Sequence, residues 1–441
     1  MYELLKTIMI DDLQVEADEL SPDASREDAG LDSLATFELS LALSQRLGIE
    51  IADDELFGLK TLAEIAEFVE RRAAGLPDPF PAVDPSEAHE GTGLALLLGT
   101  GDPSAAGPGA RQLARNETPF PPLDSVAAAI ARAATDANRY PDPACGALRA
   151  GLARHLGLSP DRIAVGAGSI TLLQALLAVT AEPGAAVVHS WPSFDGYSVL
   201  ADLAGFHSVR VPLAEHGHDL DALAAAIDER TRLVLLCNPN NPTGTASSSD
   251  DLLKFLDAVP PTCLVVLDEA YAEFAHDPGL GVRLLGSWPN LIVTRTFSKA
   301  YGLAGLRIGY LLAEPRLVSR VRRMVMPLSV SDIAQAAAVA SLAARTELLG
   351  RVRETAAERD RVRAALLALG FDVPPSEANF VWLPLGGRAQ EFAAVCASEG
   401  VDVRPYPGDG VRVTTGTARD NDAFLAAAGR YARDRAGAVG R

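Results

Sequence analysis

At 441 residues, with 48% hydrophobic content and a formal charge of −19, the chain is long enough for about two to four domains and for at least one large core. The acidic balance argues against direct nucleic-acid binding, which needs a basic footprint to displace counterions. No run of about 18 uncharged apolar residues occurs, and the N-terminus lacks a basic stretch followed by an apolar one, so neither a membrane span nor a secretory signal is expected and the expected compartment is the cytoplasm.

The first segment is the most acidic. Residues 1–72 carry 18 acidic and 6 basic side chains, so −12 of the total charge sits in the first sixth of the chain and marks a separate unit. Apolar residues recur at helical spacing in Leu4, Leu5, Ile8 and Met9, in Leu34, Phe37, Leu39, Leu41, Leu43 and Leu47, and in Leu62, Ile65, Phe68 and Val69, which predicts a small helical domain over residues 1–73. Ser33 lies in Gly30-Leu31-Asp32-Ser33-Leu34 at the start of the second pattern, where a helix N-terminus tolerates a phosphodiester. Either Ser33 or Asp32 also suits a plain N-cap. Residues 74–112, with Pro77, Pro79, Pro81, Pro85, Pro103 and Pro108, are expected to be a linker and an extended arm.

From residue 113 the pattern changes to short apolar runs alternating with helical ones. The clearest strands are Ile163–Val165, Ala186–Val188, Leu233–Leu236, Leu264–Leu267 and Leu291–Val293. Such alternation predicts a mainly parallel sheet covered by helices, an α/β fold, over residues 113–315. Amphipathic helices between Arg320 and Leu369, broken at Pro327, and a shorter α+β stretch predict a smaller domain over residues 316–441. Cys145, Cys237, Cys263 and Cys396 form no CxxC pair and have no metal-like His spacing, so buried reduced thiols and no metal are expected.

The chemistry is concentrated after the strands, where open α/β sheets place their ligands. Lysine occurs only at positions 6, 60, 254 and 299. In so arginine-biased a chain, Lys299 within Thr296-Phe297-Ser298-Lys299-Ala300-Tyr301-Gly302 suggests an amine used as a nucleophile. Lys299 would form a Schiff base with pyridoxal 5′-phosphate, and Ser298 and Arg307 would bind the cofactor phosphate. Asp268, which opens Asp-Glu-Ala-Tyr, would keep the pyridine nitrogen protonated, and Tyr271 would donate to the phenolate oxygen; Asp-Glu after a strand is also an ordinary helix start. The run Asn238-Pro239-Asn240-Asn241-Pro242-Thr243-Gly244 has few conformations open to it and would hold the Asn241 amide on the same oxygen, although its composition also suits a plain turn. Backbone N–H groups of Ser169 and Ile170, after Gly166-Ala167-Gly168, would form an anion site at a helix start. An aromatic from Trp191-Pro192-Ser193-Phe194 would stack on the ring or serve the core.

These segments, in this order and spacing, resemble histidinol-phosphate aminotransferases and their fold-type I pyridoxal phosphate relatives over residues 113–435. Asn116-Glu117-Thr118-Pro119, Asn138-Arg139-Tyr140-Pro141-Asp142 and Arg412-Val413-Thr414-Thr415-Gly416-Thr417 add to the match. The resemblance implies that Phe194 stacks on the cofactor where a tyrosine is common, and that Tyr140 reaches the cofactor phosphate of a neighbouring subunit in a homodimer. It also implies that Arg412, with Arg404 and Asn116 nearby, binds the substrate and its anionic group. Relatives acting on histidinol phosphate have an arm tyrosine that helps bind the substrate phosphate, whereas residues 77–112 contain no tyrosine.

Residues 1–73 resemble an acyl or peptidyl carrier protein, which implies a small four-helix domain with 4′-phosphopantetheine on Ser33. A phosphopantetheinyl transferase and acyl- or aminoacyl-loading enzymes are the implied partners; a docking domain without the arm is the other reading. The whole chain thus reads as an aminotransferase fused to a carrier, exchanging nitrogen between an amino acid and a keto substrate in natural-product biosynthesis. Alternatives are a decarboxylase of the threonine-phosphate type and, less favoured, a non-catalytic scaffold or regulator.

Overall fold

The computed structural model describes residues 109–439 and, within residues 1–73, all but 12, 14, 16–19, 26, 27, 30, 32, 48–50, 52–54, 57 and 58. The chain divides into two compact units.

In the N-terminal unit three helices are described: α1 (Tyr2–Asp11), α2 (Ser33–Leu47) and α3 (Leu62–Ala73). Residues 55 and 56, between α2 and α3, are also helical; the fourth expected helix otherwise lies outside the described residues. Leu5, Ile8 and Met9 of α1, Leu39 and Leu43 of α2, and Leu62, Ile65 and Val69 of α3 share one buried core. Their i, i+3 and i, i+4 spacing puts each set on one face of its helix. The apolar pattern of α2 is divided. Phe37 and Leu41, two positions out of phase with Leu39 and Leu43, are 51% and 49% exposed. At α3 the Glu64 N–H is bound by Thr61 Oγ1, and the Glu64 carboxylate accepts from the Lys60 N–H, a reciprocal cap that fixes the helix start.

The second unit contains β1 (Arg111–Gln112), α4 (Asp124–Ala134), α5 (Gly146–Leu156), β2 (Ile163–Gly166), α6 (Ser169–Thr180), β3 (Ala186–Trp191), α7 (Gly196–Leu203), β4 (His207–Pro212), α8 (Leu220–Ala225), β5 (Thr231–Cys237), α9 (Ser249–Ala258), β6 (Leu264–Asp268), α10 (Leu280–Leu284), β7 (Leu291–Thr296) and β8 (Gly309–Leu312). Then follow α11 (Pro315–Met324), α12 (Asp332–Ala343), α13 (Arg345–Ala368), β9 (Phe380–Leu383), α14 (Ala389–Ser398), β10 (Val401–Asp402), β11 (Arg404–Tyr406), β12 (Gly410–Thr414) and α15 (Ala418–Val439).

Seven strands form the main sheet in the order β2-β8-β7-β6-β5-β3-β4, parallel except for β8, which runs against both β2 and β7. All five expected strands lie in it. The edge strand β4 and the short β8 are additions: β4 is half polar and mostly not buried, so its sequence has no apolar run to announce it. Side chains alternate between faces as the strand period demands. Val234, Leu236, Val265, Leu267 and Val293 pack into one core, and Leu233, Leu235, Val266 and Ile292 into the other.

These two cores run past residue 315, where the sequence suggested a division. Val318 and Val321 of α11 lie in one sheet core, and Ala334, Ala337 and Ala338 of α12 in the other. The helix α13 spans the change: Leu348 and Val352 pack with the sheet, Val362 and Leu366 with a third core that contains Phe392, Val411, Val413 and Phe424. A continuous amphipathic pattern gives no hint of which core each turn meets. Of the expected linker over residues 74–112, only residues 109–112 are described, and there Arg111–Gln112 pair in parallel with Val401–Asp402. The antiparallel sheet β11-β12-β9 completes the third layer. All four cysteines are buried free thiols. Among the described residues no helix is long and apolar enough to cross a membrane.

Candidate active site

The site lies at the carboxyl ends of the parallel strands. Lys299 follows β7; its Nζ donates to the Arg115 carbonyl at 3.1 Å. Burial, and after it the Arg412 guanidinium, push the lysine down to about 7, so much of it is a neutral amine at physiological pH. Asp268 ends β6 and is buried, with Tyr197 Oη donating to Oδ2 at 2.9 Å and Thr294 Oγ1 to Oδ1 at 3.0 Å. Burial raises this carboxyl to about 6 against the lowering effect of those bonds. A buried carboxylate so held is oriented for a cationic partner, and a pyridinium N–H fits that requirement.

A phosphate cradle lies beside the lysine. Arg307 Nη1 reaches Ser298 Oγ at 3.4 Å, and Ser298 Oγ also takes the Thr296 hydroxyl at 2.9 Å. Opposite, α6 begins at Ser169 after Gly168, and no side chain caps its first N–H groups. Gly168 has φ +87°, and a Cβ there would stand 2.6 Å from Arg307 Nη2. At Gly309 a Cβ would stand 2.5 Å from the Ser169 nitrogen. Two positions without side chains therefore bring a guanidinium, a hydroxyl and the free N–H groups of Ser169 and Ile170 together, which is the donor set a phosphate dianion needs.

Asn241 is buried and its Oδ1 accepts from Arg412 Nη1 at 2.5 Å, which leaves its amide N–H groups for the cofactor. The loop that holds it is braced by Asn238, whose Oδ1 takes the Ser247 N–H, and by Asn240, bonded to Ser193 and Thr243. Phe194 is half-buried and meets Tyr197 edge to face at 5.4 Å. Tyr271 is buried, packs edge to face on Phe380 and accepts the Asn116 amide at 2.9 Å.

Arg412 lies on β12. It is buried under the Phe380 and Tyr406 rings and donates to Tyr406 Oη at 3.2 Å and to the Ala114 carbonyl at 2.5 Å, while its Nε has no partner among the described residues. An unpartnered donor on a buried cation is costly unless a ligand completes it, and a carboxylate is the group that would. Asn116 sits at φ +54° and is tied to Thr414 through both its N–H and its Oδ1. Arg404 pairs with Asp195 at 3.3 Å instead of opening onto a vacant face. Tyr140 is 86% exposed, in the loop between α4 and α5. In the other unit, Ser33 is the first residue of α2.

Motif reading passed over Tyr197, Thr294, Tyr406, Asp195 and the Arg115 carbonyl. Tyr197 lies one helical turn beyond Phe194, a spacing that carries a signal once Phe194 is placed. Thr294, the Arg115 carbonyl and Asp195 are joined to the site by contacts across 26, 184 and 209 positions, and Tyr406 by one to Arg412 across 6, with no local pattern to betray them.

Residues 111–427 match the family described as aminotransferase class I and II, and residues 3–69 match the family described as phosphopantetheine attachment site. The chain is 57% identical over 322 residues to an aromatic amino acid aminotransferase of Thermobifida fusca (strain YX), covering 73% of this chain and 90% of that protein. Among solved structures it resembles the histidinol-phosphate aminotransferase of Sinorhizobium meliloti in complex with pyridoxal-5′-phosphate, with TM-score 0.70 and 35% identity, covering 74% of this chain and 91% of that one. It is more distantly similar to the L-threonine-O-3-phosphate decarboxylase of Porphyromonas gingivalis, with TM-score 0.64 and 25% identity, covering 73% of this chain and 99% of that one. The chain belongs to the class I and II aminotransferases, with pyridoxal 5′-phosphate as cofactor, and carries an N-terminal phosphopantetheine-attachment domain.

Proposed function

We propose that this aminotransferase exchanges nitrogen between an amino acid with an aromatic side chain and a 2-oxo acid, and that one of its substrates or products is held as a thioester on the phosphopantetheine arm of Ser33. The convergence of Lys299, Asp268, Asn241 and Arg307 at the strand ends carries the catalytic half. The 57% identity to an aromatic amino acid aminotransferase supports the substrate class. Pyridoxal phosphate supplies a carbonyl for amine exchange and a ring that accepts electron density.

The chain's own residues do the rest. Lys299, neutral in a large fraction at physiological pH, is the nucleophilic amine and afterwards the base that takes the substrate Cα proton and returns it. Asp268, held by Tyr197 and Thr294, keeps a negative charge against the ring nitrogen. The Asn241 and Tyr271 side chains donate to the ring oxygen, and Ser298, Arg307, Ser169 and Ile170 hold the phosphate. Arg412 binds the substrate carboxylate through its unpartnered Nε and fixes the Cα–H bond toward Lys299.

We further propose a homodimer in which Tyr140 completes the neighbouring subunit's phosphate site, a division at about residues 1–73, 74–112, 113–315 and 316–441, and a cytoplasmic setting in natural-product biosynthesis. The exposure of Tyr140 suits such a contact. A tether of about 40 residues raises the local concentration of a carrier-bound substrate into roughly the millimolar range. The decarboxylase alternative draws support only from the more distant neighbour.

The test uses the full chain produced with a phosphopantetheinyl transferase and incubated with phenylalanine or tyrosine and 2-oxo acids. Formation of the aromatic 2-oxo acid and a mass increase abolished by Ser33→Ala are expected. Carbon dioxide release without keto-acid formation would make it a decarboxylase. Equal turnover of the true substrate by Ser33→Ala would remove the tethered step.

A further inference from the structure

The substrate side of the site contains an ion pair that the chemistry above does not use. Arg404 Nη2 lies 3.3 Å from Asp195 Oδ2, and both side chains are only about a tenth exposed, at 11% and 10%. Asp195 directly follows Phe194, on the cofactor side. Arg404 lies on β11 directly opposite Arg412 of β12. The Tyr406 ring meets both arginines: the Arg404 guanidinium lies 5.3 Å and that of Arg412 5.8 Å from its centre, and its hydroxyl accepts from Arg412 at 3.2 Å. Asp195 also lies within electrostatic reach of Arg412 and Tyr406. One carboxylate thus serves two guanidinium groups, and its bond goes to Arg404.

We propose that Asp195 is a specificity-determining residue: by neutralising Arg404 it keeps that guanidinium from acting as a second anion site beside Arg412 and biases the site toward substrates with an uncharged side chain over those with a second anionic group. Without Asp195, the two neighbouring guanidinium groups would suit two anions, such as a dicarboxylate or a phosphorylated amino alcohol. With it, a second anion must displace Asp195 or approach its charge in a partly desolvated pocket, where like charges repel strongly. The carboxylate thus acts as a repulsive element built into the pocket. Its preference falls on the class that the proposed function names, amino acids with apolar aromatic side chains, and it rests on that proposal.

The charge of the pair can be set at +1, −1 or 0 with three variants of the full-length holoenzyme. Asp195→Asn leaves one extra positive charge, Arg404→Gln one extra negative charge, and the double variant none. The quantity read is kcat/KM for glutamate divided by kcat/KM for phenylalanine. Asp195→Asn should raise this ratio about tenfold or more, equivalent to about 1.4 kcal/mol. Arg404→Gln should lower it by a similar factor, and the double variant should return it to near the starting value. Binding of glutarate and of 3-phenylpropionate, measured by calorimetry, should follow the same order. A ratio that moves less than about twofold in both single variants, or a double variant that tracks either single one, overturns the proposal. Should one single variant fail to fold, the other and the double variant still decide the sign. If the unaltered chain transaminates neither amino acid, the proposed function fails, and the calorimetric order still tests Asp195 by itself.

Discussion

The cofactor half and the substrate half of the active site are built in opposite ways. Lys299, Asp268, Asn241, Ser298 and Ser169 each lie at or just beyond the end of a buried strand of one sheet, and each sits in a short contiguous motif. The substrate half is assembled from residues 114–116, 379–380 and 404–415, and its bonds cross the chain: Asn116 to Thr414, Asn379 to the Asn116 carbonyl, Arg412 to the Ala114 carbonyl and to Asn241. Under the proposed function, a rigid sheet fixes the chemistry and a stitched surface selects what is brought to it.

The largest effect should come from the cofactor half. Lys299→Ala removes both nucleophile and base, and a loss of about 10⁴-fold or more in turnover is expected, together with loss of the lysine-dependent visible absorbance of the holoenzyme. Single-turnover kinetics with added methylamine would check it: partial rescue identifies the missing group as an amine. If Lys299→Ala kept most of its activity, the cofactor half would have been wrongly assembled.

Arg412→Leu probes the other half. Removal of a buried cation that holds Asn241, Tyr406 and Ala114 and offers a free Nε should cost about 100-fold or more in kcat/KM, mainly as a raised KM, because truncating a buried charge partner costs about 2–5 kcal/mol. Initial-rate kinetics on the amino acid and on its amine lacking the carboxylate decide the matter. The variant should lose far less on the amine than on the amino acid.

The difference between the halves also explains what was legible in the sequence. The lysine loop, the Asn-Pro-Asn-Asn-Pro run and Asp-Glu-Ala-Tyr were readable because each must make a tight local shape at a strand end. The strands around them were readable because burial on both faces makes continuous apolar runs. Arg412 emerged only through family resemblance. Asp195 and Tyr406 did not emerge, since an acid after Phe194 and a tyrosine in a short strand have no local periodicity that marks a pocket. Likewise, α13 reads as one even helix, and only tertiary packing shows that it joins two cores.

A smaller effect should follow at Asn116, where the stitching itself can be cut. Its left-handed backbone costs little for asparagine and about 1–3 kcal/mol for most other non-glycine residues. Asn116→Ala should therefore lower the melting temperature by several degrees and reduce kcat/KM about tenfold, as Tyr271 loses its donor and the Lys299 carbonyl partner shifts. Asn116→Gly should recover most of the stability and little of the turnover. If glycine restored both, the amide contact with Tyr271 would contribute nothing and the residue would serve the backbone alone.

The smallest expected effect shows the two halves acting on each other. The Lys299 amine is held near 7 first by burial and then by the Arg412 guanidinium. Below that value the amine is protonated and above it neutral, so the rate at which apo-protein captures an aldehyde should rise about tenfold from pH 6 to pH 8 and then level off. Arg412→Leu removes one cation that disfavours the charged lysine, so the midpoint must move upward, by less than about one pH unit because burial, the larger cause, is retained. Reductive trapping of apo-protein with pyridoxal phosphate across this pH range, followed by intact-mass detection, measures the midpoint without turnover. An unmoved midpoint would separate the halves electrostatically, and a downward one would reverse the sign of the coupling. An upward shift means that the residue chosen to hold a carboxylate also keeps the amine unprotonated until that carboxylate arrives. Charge neutralisation by the bound substrate then raises the basicity of Lys299 at the point where it must accept the Cα proton.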